Sequence, residues 1–249
     1  MTEREQTVGS PTSERSAQTL AKRRAAVVGV ESVAGAAIAR ALGAAGADLA
    51  LCALRADDSV LVARRVQREL QAAGRHAVSY VMDVTLGRNV QVTTRQIAKE
   101  LGGLDAVVSA SLLPAHGPLD RLSEVEVAQI LALNFTAHLF VVRSAALELA
   151  RSGGGTLLLL THEVGETGAS DAPLFAAAQA AARSLVTSLA VPLANEGVAL
   201  AAISLSSPAS DEIALGIEEA ECVGALAVDL VSDGLDSAGR IVAVGGGVE

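Results

Sequence analysis

Tryptophan is absent from this 249-residue chain, tyrosine occurs once, at Tyr80, and lysine twice, at Lys22 and Lys99. Chemistry that needs a phenol with an ammonium group one helical turn further on is therefore missing, since neither lysine stands in that relation to Tyr80. Positive charge is scarce as well: the formal net charge is -9, and the 17 arginines are scattered rather than striped. No basic face is left for a phosphate backbone, so a nucleic-acid partner is not expected. Cysteine is limited to Cys52 and Cys222 without motif spacing, and both read as buried, reduced thiols rather than redox or metal ligands; no metal site is expected. The opening residues MTEREQTVGSPTSER lack the apolar stretch of a secretory signal or anchor, and later apolar runs are broken by Asn134, His138 and Arg143. A soluble, cytoplasmic protein with no membrane contact is the expectation.

What the chain has in quantity is apolar residues, 51% of the total, enough to bury a core within the size of one domain. Residues 1–22 are the exception. Rich in Ser, Thr, Glu and Arg, they bury too little to offset the entropy of ordering and are expected to form a disordered tail ahead of a single domain over residues 23–249. Within that domain, strands are expected at Ala25 to Val30, Leu49 to Leu54, Ala77 to Met82, Leu104 to Ser109, Gly155 to Thr161, Val198 to Leu205 and Arg240 to Val244. Helical patterns lie between them, beginning with Ala34 to Ala45 and Ser59 to Ala73. The strand runs are continuously apolar, as strands covered on both faces require. Seven parallel strands with intervening helices predict an α/β fold, a Rossmann-like doubly wound sheet.

The first strand leads into VVGVESVAGAAIARALGAAGADLAL. This segment resembles the Thr-Gly-x-x-x-Gly-x-Gly turn and following helix of the short-chain dehydrogenase/reductase family, and the resemblance extends over about residues 25–247, to the closing GRIVAVGGG. Gly29 and Gly35 hold the first and last glycine positions, while Val28 stands for the threonine and Val33 for the middle glycine. Such a turn lets bare backbone approach a pyrophosphate at a helix N-terminus, so a β-branched side chain is expected to fill the phosphates' volume. Glu31 adds a negative charge, which at ~4 Å from a phosphate costs about 1 kcal/mol in bulk water and several more in a cleft. In the second strand, LALCALR, Ala53 stands where NAD-preferring relatives carry an acid for the adenosine ribose, and Arg55 alone would favour a 2′-phosphate. Asp83, in MDVT, matches the family's adenine-contacting Asp-Val. Gly29, Gly35 and Asp83 are read as vestiges, the glycines being kept for the turn and helix packing. No cofactor is expected on this chain.

The resemblance also assigns catalytic positions. The family uses a tyrosine as proton donor, a lysine four residues later, a serine thirteen residues before the tyrosine, and a helix asparagine; here these positions hold Phe175, Gln179, His162 and the retained Asn134. Phe175 has no proton to transfer, Gln179 no charge to lower a neighbour's pKa, and His162 no hydroxyl to polarise a substrate oxygen. The family's Asn-Asn-Ala-Gly floor reads Ser109, Ala110, Ser111, Leu112, and its Pro-Gly after the sixth strand falls on Leu205 and Ser206. The segment SSPASDEIALGIE is short for a substrate lid. Asn134 is expected to satisfy backbone groups in a helix kink, and His162 to be a strand-end residue without a fixed partner, solvated or hydrogen-bonded. Two alternatives stay open: relocated chemistry with His162 as general base beside Glu163 or Glu166, and a regulator that senses a dinucleotide without reducing anything.

Two apolar helices, about Glu124 to Ala150 and Pro173 to Asn195, correspond to the pair that forms a four-helix dimer interface in family members. The second, LFAAAQAAARSLVTSLAVPL, is apolar around more of its circumference than one core contact needs. With the catalytic positions replaced, the resemblance implies a non-catalytic subunit of a heteromeric dehydrogenase. Its partner would be an active paralogue, docked through residues 124–150 and 173–195 and carrying NAD(P). That partner would oxidise or reduce a hydroxyl or keto group, a hydroxyacyl-CoA among the candidate substrates.

Overall fold

The computed structural model describes residues 19–206 and 217–244. Seven strands form one parallel sheet: β1 (Arg24–Val28), β2 (Asp48–Ala53), β3 (Ala77–Val81), β4 (Ala106–Ser109), β5 (Gly155–His162), β6 (Val198–Leu205) and β7 (Ile241–Ala243), in the spatial order 3-2-1-4-5-6-7. Each lies within two residues of its predicted ends. The order reverses between β1 and β4, and a crevice opens beyond the carboxyl ends of the strands at such a reversal.

Helices cover both faces. On one side α1 (Val33–Ala44), α2 (Ser59–Ala72) and α8 (Ile217–Asp233) bury Val27, Leu49, Leu158 and Ile203. On the other, α3 (Gly87–Leu101), α5 (Ala137–Arg151) and α7 (Pro173–Ala194) bury Val28, Leu157, Leu159 and Leu200. Adjacent strand residues thus face opposite layers, and both must be apolar, which explains the continuous runs. By length and hydropathy Glu124–Arg151 and Pro173–Ala194 are each long and apolar enough to cross a membrane. Both pack on the sheet, α7 burying Phe175, Gln179, Ala182 and Val186.

The helix expected over Glu124 to Ala150 is divided. α4 (Glu124–Leu131), opened by a capping box between Ser123 and Glu126, runs into a π-helical turn, Ala132–Thr136, before α5. The amino-terminal boundary also differs from expectation. Residues 1–18 of the expected tail lie outside the described residues, but Leu20 is buried and donates its N–H to Ala45 O at 2.8 Å. Burying one leucine contributes about 2 kcal/mol, which with the hydrogen bond to Ala45 offsets part of the entropy of ordering the chain ahead of residue 23. Cys52 is buried on β2, whereas Cys222 is exposed on α8, because the helical period turns Val223 and Ala227 inward instead.

Candidate functional site

Strand β5, helix α7 and the π-helical turn bring the four positions assigned by resemblance into one buried group. Gln179 is its hub: Oε1 accepts the His162 backbone N–H at 3.0 Å, and Nε2 donates to Asn134 Oδ1 at 3.2 Å. Asn134 uses all four of its hydrogen-bonding sites. Oδ1 accepts from Gln179 and from Leu113 N at 2.9 Å, while Nδ2 donates to Leu113 O at 2.8 Å and Ile130 O at 2.9 Å. The side chain serves the Ile130 carbonyl of α4, just ahead of the π-helical turn, and pins the loop after β4 through both backbone groups of Leu113.

His162 departs from expectation. It is fully buried; its Nδ1 accepts the Val164 N–H at 3.2 Å, and its ring meets Phe175 edge-on, with centroids 5.7 Å apart and planes at 62°. The position at the end of β5 is held by α7 and by the start of α6 (Val164–Thr167) rather than by solvent. Of the suggested partners, Glu166 forms an ion pair with Arg183. Around Phe175, an apolar plug of Val164, Ala172 and Ala176 packs against Leu112, Ala115 and Ala169. Asp171 fastens the loop above it, accepting the Gly117 N–H at 2.7 Å and lying 3.6 Å from His116 Nδ1. Phe175 carries no proton to donate, and the Gln179 amide is committed to the His162 N–H and to Asn134. Ser206 donates to Val244 O, and Leu205 closes β6; the segment expected to be a shortened lid lies mostly outside the described residues.

At the other end of the crevice, the β1–α1 turn is built as a tight strand-to-helix junction. Gly29 has φ +91°, and a Cβ there would lie 2.8 Å from Ala110 O; a Cβ on Gly35 would overlap Gly29 O. Both glycines are thus required by backbone packing alone. Ser32 caps α1 by accepting the Gly35 N–H at 2.9 Å. Val33, the first residue of α1, is 51% exposed and does not line the crevice. Glu31 turns across to β2, where Oε1 accepts the Leu54 N–H at 3.1 Å. Burial raises its pKa above the ordinary carboxylate value, against hydrogen bonds from the backbone that favour the charged form. Asp83 closes its own turn, accepting from Thr85 N at 3.0 Å and Thr85 Oγ1 at 2.6 Å.

Between these parts lies a cleft of about 350 Å³, lined by Glu31, Ser32, Leu54, Arg55, Asp57 and Ser59 on one side and by the loop after β4 with Gln129 and Leu133 on the other. Toward Phe175 the described side chains are apolar, while the end nearest β2 carries Glu31, Arg55 and Asp57. Among the described residues there is also no group of three or more His, Cys, Asp or Glu placed to hold a metal ion. Sequence reasoning missed a buried pair, Ser109 Oγ and His138 Nδ1 at 2.9 Å, joined only by packing of α5 under β4. It also missed the plug, for which the apolar stretch around Ala172–Ala176 was the available signal.

A family model described as short chain dehydrogenase matches residues 23–211. The hydroxynaphthalene reductase of Aspergillus fumigatus is 29% identical over 177 residues, 71% of this chain and 63% of that protein, so the match spans less than two thirds of this relative. The cis-4-hydroxycyclohexanecarboxylate dehydrogenase of Sinomonas cyclohexanicum is 28% identical over 190 residues, 75% of this chain and 74% of that protein. A short chain dehydrogenase from Burkholderia cenocepacia, solved in complex with NADP, superposes with a TM-score of 0.80 at 27% identity, covering 92% of this chain and 99% of the other.

Proposed function

Because this chain belongs to the short chain dehydrogenase family, a family of oxidoreductases that use NAD(P), we propose that it serves as the non-catalytic subunit of a heteromeric, cytoplasmic member of that family. The carrying observation is the buried group of Asn134, His162, Phe175 and Gln179, in which the positions that should face reactants bond to one another and to an apolar plug. The relatives are named as active reductases and dehydrogenases, so the proposed loss of activity is argued from these residues of this chain alone. Its partner would be an active paralogue that binds NAD(P) and acts on a hydroxyl or keto group. This resembles the inactive subunit of the dehydrogenase acting on 2-(hydroxyphenylmethyl)succinyl-CoA, which suggests a hydroxyacyl-CoA as substrate class.

The docking surface would be the outer face of α4, α5 and α7, where Val125, Leu131, Leu139, Leu147 and Val191 are exposed. Co-expression with a paralogue carrying an intact Tyr-x-x-x-Lys should give a mixed complex of fixed stoichiometry on size-exclusion chromatography. Leu147→Asp with Val191→Asp should dissolve it while both chains remain folded. A chain that stays a homo-oligomer in the presence of such paralogues, or that turns over a substrate alone and loses that turnover in His162→Ala, would replace this proposal with the relocated-chemistry reading.

A further inference from the structure

The sheet has an open edge at β3, its outermost strand, which among the described residues pairs only with β2, from Leu49 beside Ala77 to Ala53 beside Val81. At the two ends of this pairing the Leu49 N–H donates to His76 O and the Met82 N–H to Ala53 O, each at 2.9 Å. Backbone groups of a paired strand alternate in direction, so Val78 and Tyr80 serve β2 while the N–H and C=O of Ala77, Ser79 and Val81 point away from it. The Ala77 carbonyl is already used: Gln67 and Gln71 of α2 donate to it at 3.1 and 2.9 Å. At Ser79 and Val81 the outward backbone groups make no hydrogen bond among the described residues, which leaves a template for another strand.

Charge decides what this edge accepts. The face of α2 that sends Gln67 and Gln71 to β3 also carries Arg64 and Arg68, three or four residues away in the helical period and both exposed. Among the described residues no carboxylate lies within ion-pair distance of either. Residues 55–100 hold eight Arg and Lys against five Asp and Glu, in a chain with 19 against 28 overall, so this flank is the basic part of an acidic protein. On the other side of the strand Tyr80 donates to Glu100 of α3, an acid that opposes a phosphate backbone.

We propose that β3 docks an extended acidic segment of a partner protein by strand addition, its backbone pairing with Ser79 and Val81 and its carboxylates meeting Arg64 and Arg68. Side chains of an added strand alternate between the two faces of the sheet. The segment that fits therefore has an acid at every second position on the α2 side, with apolar residues between them on the side of Tyr80. This surface uses none of the residues proposed to meet a paralogue.

Fluorescence anisotropy of a labelled peptide of alternating Glu and Val, titrated with the purified full-length chain, tests this. The peptide should saturate with a Kd of about 100 μM or tighter. Only one alternate set of its amides can face β3, so of two peptides, one N-methylated at every Glu and one at every Val, one should bind at least about tenfold more weakly than the other. A peptide with Lys in place of Glu should weaken by a similar factor, as should Arg64→Glu with Arg68→Glu in the chain. Val81→Pro, which removes an outward N–H and leaves the β2 ladder intact, should do the same. The proposal is overturned if the Glu-Val peptide does not saturate, if the two methylated peptides bind alike, if the Lys peptide binds as well, or if a single-stranded oligonucleotide of equal charge binds more tightly. The peptide comparisons decide the matter without any variant. Complex formation with a paralogue is read separately by chromatography, so failure of either proposal leaves the other standing.

Discussion

Gln179 accepts the backbone N–H of His162 through a side-chain carbonyl, at 3.0 Å across the gap between α7 and β5. An amide suits this position because it accepts on one side and donates to Asn134 on the other. Lysine has three donors and no acceptor, so it cannot replace both bonds.

Gln179→Lys should therefore destabilise the fold by about 3 kcal/mol, since the His162 amide loses its acceptor and an ammonium group is buried without a counter-charge. Chemical denaturation measures this directly. Wild-type stability in the variant would show that the bond network is dispensable.

Restoring the family residues by His162→Ser, Phe175→Tyr and Gln179→Lys together should not create a dehydrogenase. Val164, Ala172 and Ala176 still pack around residue 175, and a proton donor must come within hydrogen-bond reach of a substrate to act. Absorbance of the reduced nicotinamide, followed with a panel of alcohols and ketones, is the assay. Measurable turnover would mean that the plug opens.

His138 gives the fold an acid sensitivity. Full burial pushes its imidazole down to about 4 from an ordinary 6.5, with a backbone interaction at Ser111 opposing only in part. The unfolded chain then takes up a proton at a higher pH than the folded one does. Stability should fall as pH drops from 6.5 to 4, by about 3 kcal/mol in total from this residue. Denaturation curves across that window should flatten in His138→Gln, which can still bond Ser109. An unchanged pH dependence in the variant would assign the effect elsewhere.

Glu31 acts in the opposite sense. Its folded pKa is raised, mainly by burial, so the folded chain keeps a proton that the unfolded chain has lost. Its stability cost appears as pH rises through the ordinary value of 4.5 and is fully present above the raised folded value. Glu31→Gln should therefore raise the unfolding temperature at neutral pH, with the advantage vanishing in acid. A variant that melts lower than the wild type at neutral pH would show that the carboxylate is stabilised where it stands.

Much of the architecture was legible because it depends on patterns local to the chain. Strands covered on both faces must be apolar at every position, and that requirement located all seven. Phe175, Gln179 and His162 were assigned by resemblance to the family's motif, whose spacing a helix and its preceding strand preserve. What escaped notice depends on tertiary neighbours. Leu20 sits in a polar stretch, and only the backbone at Ala45 and the core beneath it show why it is ordered. The burial of His162 comes from α7 crossing over β5, and the turn of Glu31 toward β2 comes from an amide 23 residues away. The Ser109 and His138 pair spans 29 residues and leaves no periodic trace.

The π-helical turn at Ala132–Thr136 makes the long helix intolerant of changes in length. Each residue added to or removed from an α-helix rotates everything on one side by about 100° relative to the other. Deleting one residue between Leu131 and Ala137 with the winding of the turn unchanged would re-aim the exposed Val125 and Leu131 relative to Leu139 and Leu147 and move Asn134 away from Leu113. The buried asparagine and the outer apolar face are thus inherited as a single cassette of fixed length, whether or not the chain performs chemistry.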